Sequence, residues 1–230
     1  MLVVSKFLNN MEIVFDKICK NYGPISVFKD LSFKIEPGDF VFITGPSGSG
    51  KSTLIKLILN QIKPSSGDVL VDGKALNHLK NKNEIDNIRR KIGVIFQDFQ
   101  LITDLTIEEN IALNLDIVRY PQSKVLSRIN EVVKMVKLQH RHFLFPNQLS
   151  GGELQRASLA RALSIEPEVI LADEPTGNLD PANSWNLIKL LQEINQNLKT
   201  TIIMTTHNMD FVDSLDKKVI KLGKLDHENS

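Results

Sequence analysis

The 230 residues are 42% hydrophobic and 24% charged, an ordinary globular mixture and long enough to bury a real core. With 28 basic against 27 acidic residues, the net charge of +1 gives no sign of a broad cationic surface for nucleic acid or lipid headgroups. The single cysteine, Cys19, excludes an internal disulfide framework and fits a reducing cytoplasm, while no stretch approaches the roughly 20 apolar residues of a membrane span.

Residues 1–10 read as an extension outside the core; Met1 to Val4 meets Ser5 and Lys6 before a signal-peptide core forms. Residues 12–18 alternate as a strand, and Asn21-Tyr22-Gly23-Pro24 closes it. Ser26 to Glu36 is a second extended stretch, ended by the Pro37-Gly38-Asp39 turn. Phe40 to Thr44, Ile92 to Phe96, Val169 to Ala172 and Thr201 to Thr205 are short apolar runs of the buried-strand type. Between them Val125, Ile129, Val132, Val133 and Val136 share one helical face, and Ala182 to Leu198 is amphipathic behind Pro181. Arg89-Arg90-Lys91 reads as the solvated end of a helix. Buried strands alternating with helices predict a parallel α/β sheet. The stretch from about Asp98 to Leu163 has helical patterns and no strand candidate, which predicts a helical insertion.

Gly45-Pro46-Ser47-Gly48-Ser49-Gly50-Lys51-Ser52 fits G-x-x-x-x-G-K-[ST] between a buried strand and a helix. Glycines let consecutive N–H groups converge on an anion, and the helix start adds the positive end of its dipole. Lys51 is suited to the β- and γ-phosphates, Ser52 to Mg²⁺ and Thr53 to the α-phosphate. The run Val169 to Ala172 ends in Asp173-Glu174, which puts two acids at the carboxyl edge of the sheet, where open α/β folds bind ligands. Asp173 suits a contact to the Mg²⁺ shell, and Glu174 suits polarisation of an attacking water.

Leu149-Ser150-Gly151-Gly152-Glu153, followed by a helix, resembles the signature motif of the ABC-type ATPases. The likeness runs in the family's order from about Met11 to about Leu225, and it implies a P-loop NTPase fold: a parallel sheet, an antiparallel β portion and an inserted helical subdomain. The expected division is a core of residues 11–97 and 164–230 around helices at about 98–163. By the same resemblance, Gln97 is the glutamine that senses Mg²⁺ and the γ-phosphate, and Asn178-Leu179-Asp180 is the D-loop. His207 is the switch histidine at the γ-phosphate, and Tyr22 is the aromatic that stacks on adenine. The resemblance implies Mg-dependent ATP hydrolysis in a homodimer, with Ser150, Gly151, Gly152 and Glu153 of one copy closing over the ATP on the phosphate loop of the other. Pro175 to Asp180, and Ile92 to Leu101, are similar to the branch of cell-division, lipoprotein-release and macrolide-export ATPases, most of all to the cell-division type. That implies a polytopic membrane partner of the FtsX type, no nucleic acid, and a place on the inner face of the membrane. The partner's helix is expected in a groove near Phe99, Leu101, Ile102 and Leu105. Two positions depart from the commonest pattern: Glu153 stands where Gln is usual, and Asn208 where Asp is usual.

Three other features are set aside. His140-Arg141-His142 lacks the Cys or carboxylate neighbours of a metal cluster. Asn81-Lys82-Asn83-Glu84 is a poor guanine-reading motif, and Cys19 has no activating neighbours.

Overall fold

The structure, a computed structural model, describes residues 11–223. The expected extension at residues 1–10 lies outside the described residues. In β1 (Ile13–Tyr22), Ile13, Phe15 and Ile18 are buried; the alternation slips at Lys17, whose φ is 49°. The strand therefore carries a bulge, and it pairs antiparallel with β2 (Ile25–Ile35) across the Gly23 turn. β3 (Phe40–Thr44) is wholly buried and leads through the glycine-rich loop into α1 (Lys51–Ile58). β4 (Ser66–Val71) and β5 (Lys74–Ala75) extend the antiparallel sheet to the order β2-β1-β4-β5. Neither was visible as a strand in the sequence: β4 opens with Ser-Gly-Asp, and β5 has two residues.

α2 (Lys82–Arg89) begins at Asn81, whose side chain accepts from the Asn83 N–H, so the Asn81–Glu84 tetrapeptide is a helix start. Its end is less solvated than expected, because Arg89 donates to the carbonyls of Leu59 and Asn60 just beyond α1. After β6 (Ile92–Phe96) come three α-helices before the next strand: α3 (Ile107–Ile117), α4 (Val125–Met135) and α5 (Gly151–Ser164). β7 (Val169–Asp173), α6 (Pro181–Leu198), β8 (Thr201–Thr206), α7 (Met209–Ser214) and β9 (Lys218–Lys221) complete the chain. β9, a lysine-flanked edge strand, also escaped the sequence reading.

The second sheet is parallel, in the order β6-β7-β8-β3-β9. Its central strands send alternate residues to opposite faces, and both faces are covered. Phe42, Ile170 and Met204 join a core with α3 to α6, whereas Ile43, Leu171 and Ile203 join one with α1 and the antiparallel sheet. This double covering makes the strands read as continuous apolar runs. It also leaves their carboxyl ends as the open edge where polar side chains gather.

Candidate nucleotide site

The phosphate loop is shaped by glycine. Gly48 and Gly50 hold φ of 80° and 95°, and a Cβ on Gly50 would sit 2.5 Å from Val27 Cγ1 and 2.6 Å from Phe28 Cε1. Gly50 is also the N-cap of α1 and supplies no side-chain cap, with no acidic residue in the first turn. The N-termini of α3, α5 and α6 are instead capped by Thr106, Ser150 and Asp180. The uncapped start of α1 thus presents N–H groups with no side-chain acceptor, a fit for phosphate. Gly45 opens the loop and Pro46 and Ser47 form its exposed limb. Lys51 is only 6% exposed and arches over the loop, donating to the Gly45 and Pro46 carbonyls at 2.9 and 3.2 Å. Ser52 faces outward, Thr53 is half-buried, and the Ser49 hydroxyl is buried without a partner.

β7 and β8 deliver the acids. Glu174 has a φ of 44°, a left-handed conformation costly for a side-chain-bearing residue. Thr205 of β8 holds it there: its hydroxyl accepts from the Glu174 N–H and donates to Asp173 Oδ1, both at 2.8 Å. Glu174 Oε1 lies 3.3 Å from Lys51 Nζ, and Oε2 lies 3.0 Å from His207 Nδ1. Lys51, Asp173, Glu174 and His207 therefore meet across the ends of β3, β7 and β8. Thr205 was missed as a site residue, since a threonine inside a β-branched strand carries no signal of its own.

Gln97 follows β6 and is locked to Asn178 by two bonds: its Nε2 donates to Asn178 Oδ1 at 3.2 Å, and Asn178 Nδ2 donates to the Gln97 carbonyl at 2.9 Å. That leaves the Gln97 amide oxygen as an acceptor. Gly177 makes room, because a Cβ there would be 2.8 Å from Gln97 Cδ. Among the described residues no cluster of three His, Cys, Asp or Glu side chains exists to cage a metal. The oxygens of Ser52, Gln97 and Asp173 do suit Mg²⁺, which keeps waters and takes its remaining ligands from phosphate.

Ser150 and Glu153 form a capping box at the start of α5. The Ser150 N–H and hydroxyl both donate to Glu153, at 2.9 and 2.8 Å, and hold its carboxyl below the usual range. Gly152 abuts Asn183, where a Cβ would meet Oδ1 at 2.6 Å; Gly151 is half-buried beside the Asn178–Leu179 turn. Asp180 caps α6 through the Asn183 N–H. No hydrogen bond or ion pair among the described residues joins Ser150–Glu153 to the phosphate loop of the same chain. Tyr22, exposed at the end of β1, has Lys20 Nζ 4.8 Å from its ring centroid.

A groove of about 630 Å³ opens between α2, β6, α3 and α5. Of Phe99, Leu101, Ile102 and Leu105, only Ile102 lines this groove; Leu101 packs against the core. Beside it, buried Asn110 accepts from the Ile102 N–H and donates to the carbonyls of Ile102, Leu105 and Thr106, tying that loop to the start of α3. Leu113, Ile117 and Ile165 are among its other apolar wall residues. His142 pairs with Glu108 at 3.4 Å beside the start of α3.

With a phosphate cradle, an acid pair and a capped glycine signature placed on this two-sheet fold, the chain belongs to the ABC transporter family, whose model matches residues 28–177. It is an ATP-binding cassette ATPase. Its relatives include the cell division ATP-binding protein FtsE of Bacillus subtilis (strain 168), 48% identical over 198 residues that cover 86% of each chain. They also include the methionine import ATP-binding protein MetN of Vibrio vulnificus (strain YJ016), 41% identical over 86% of this chain and 58% of that one. Among solved structures, the dimeric post-hydrolysis state of the ATP-binding cassette MJ0796, bound to ADP and Pi, matches with a TM-score of 0.81 and 37% identity, covering 91% of this chain and 94% of that one.

Proposed function

We propose that this protein is the ATPase subunit of an FtsEX-like complex, in which ATP-driven closure of two copies moves a polytopic membrane partner of the FtsX type during bacterial cell division. The observation that carries this reading is the 48% identity to FtsE across most of both chains. Identity of 41% to MetN keeps an ABC transport system as the second reading, with lipoprotein release or macrolide-type export the alternative from the branch motifs.

In this reading the backbone of Gly45–Thr53 cradles the triphosphate, Lys51 swings from the loop carbonyls to the β- and γ-phosphates, and Tyr22 stacks on adenine. Ser52, Gln97 and Asp173 would hold Mg²⁺. The ion would neutralise charge building on the phosphate oxygens. Glu174, fixed by Thr205, polarises the water, and His207 sits on its carboxylate at the γ-phosphate side. Ser150, Gly151, Gly152 and Glu153 of a second copy, with Asp180 beside them, close over the nucleotide; the dimeric state of the MJ0796 cassette supports this arrangement. The partner's cytoplasmic helix lies in the groove of Ile102, Leu113 and Ile117, which holds the chain cytoplasmic and peripheral on the inner membrane face.

The test is co-expression with candidate four-span partners followed by membrane fractionation. Recovery on membranes with an FtsX-type protein, and filamentous cells on depletion, are expected. Recovery with an export or import permease and normal division would overturn the division reading.

A further inference from the structure

The loop that carries Gln97 is held in an unfavourable shape by the helix that carries the signature. Phe99 and Gln100, neither of them glycine, take successive φ of 62° and 47°. Such conformations persist only where surroundings fix them. Here both carbonyls are taken by one side chain of α5: Arg161 donates to Phe99 O at 3.2 Å and to Gln100 O. At the loop's entry a second α5 side chain, fully buried Gln155, donates to Phe96 O at 3.3 Å. Arg161 makes no ion pair among the described residues, and burial pushes its guanidinium pKa down. Withdrawing a guanidinium from water is costly unless hydrogen bonds replace its hydration, and here the Phe99 and Gln100 carbonyls do so. α5 itself is one unbroken helix of 14 residues starting at Gly151, pressed so close to β6 that a Cβ on Gly93 would lie 2.7 Å from Ala162 O.

We propose that Arg161 and Gln155 are positioning residues that clamp the Gln97 loop to the signature helix, so that Gln97 and Ser150 shift as one piece when nucleotide binds. Arg161 also lines the groove, so an occupant there presses on the clamp. The inference rests on the reading that Gln97 and Ser150 meet the nucleotide. Asn178 holds Gln97 from the opposite side, so the loop passes any motion of α5 to the acid edge.

The experiment is hydrogen exchange on the full-length Glu174→Gln protein, with and without MgATP, against the same protein carrying Arg161→Gln. Without nucleotide, amides 98–101 are expected to exchange about tenfold faster in the double variant, the cost of losing charge-assisted bonds, with the sheet unchanged. With MgATP, the phosphate loop stays protected in both proteins, but protection of residues 150–154 is lost in the double variant. Adding Gln100→Gly, which removes the conformational cost, restores part of that protection; a space-filling role for Arg161 would not respond. Unchanged exchange at 98–101 without nucleotide, or retained signature protection, overturns the clamp. If the parent itself shows no MgATP protection at 150–154, the shared-site reading fails, while the nucleotide-free result still judges the clamp. Should Arg161→Gln not fold, Arg161→Lys, able to serve one carbonyl at a time, gives the same pattern at smaller size or overturns the proposal.

Discussion

Glu174 shows how a single residue is prepared by its neighbours. Its left-handed backbone, held by Thr205, aims the carboxylate between Lys51 and His207. Glu174→Gln is expected to keep ATP binding and slow hydrolysis about 10²–10⁴-fold, measured by phosphate release beside equilibrium nucleotide binding. Unimpaired turnover would remove Glu174 from its role. Gly50→Ala should cost nucleotide binding and about 1–3 kcal/mol of stability, because its φ is 95° and the new Cβ strikes Val27 and Phe28; calorimetric melting checks this. The capping box adds a pH dependence. Glu153 has its carboxyl depressed first by the Ser150 N–H and then by the Ser150 hydroxyl. A depressed acid stabilises the fold above its ordinary value of 4.5 and loses that contribution as pH falls through the lower folded value. Glu153→Gln keeps the box without the charge, so its melting temperature should fall less than that of wild type between neutral pH and about pH 4.

At the scale of elements, α5 is the helix on which most contacts converge. Its start carries the signature, its face clamps the Gln97 loop, and its end is closed by α4. There buried Arg128 donates to Leu163 O at 2.6 Å and Ser164 O at 3.0 Å, and pairs with Glu131 at 2.7 Å. Both carbonyls lie in the last turn, where the i+4 partner of a helix is missing, and Leu163 O also takes the Glu166 N–H. Arg128→Met leaves Ser164 O without a partner and takes one of two donors from Leu163 O, so denaturant unfolding should report a loss of about 2 kcal/mol. A loss under about 1 kcal/mol would mean that water replaces the guanidinium freely.

At the scale of the whole molecule, the signature and the phosphate loop of one chain share no hydrogen bond among the described residues. In the proposed shared site, a second copy supplies the signature that closes over the nucleotide. Sedimentation of Glu174→Gln is therefore expected to shift from monomer to dimer on adding MgATP, and wild-type activity should rise faster than linearly with protein concentration. A monomer at saturating ATP would refute the shared site. The groove beside α3 is the other unfinished surface. Ile117, 60% exposed, lies on its wall, and Ile117→Glu is expected to reduce membrane recovery with the partner.

How much of this was legible in sequence depended on how local the physics is. Phe40 to Thr44, Ile92 to Phe96 and Thr201 to Thr206 showed as strands because both faces of a parallel sheet are covered, so each run holds only apolar residues and threonines. The phosphate loop was legible because glycine spacing is a backbone requirement, and the five-residue signature because it opens a helix. β4, β5 and β9 were not, being short, half-polar strands stabilised by their sheet neighbours. The sequence by itself determined the family, the order of its motifs and the residue types suited to phosphate. Only the tertiary structure decided that Thr205 sets Glu174, that Asn110 pins the Ile102–Leu105 loop, and that Arg161 holds the Gln97 loop. Each of those joins residues from separate elements through directional hydrogen bonds, and periodicity along one chain carries no record of such a pairing.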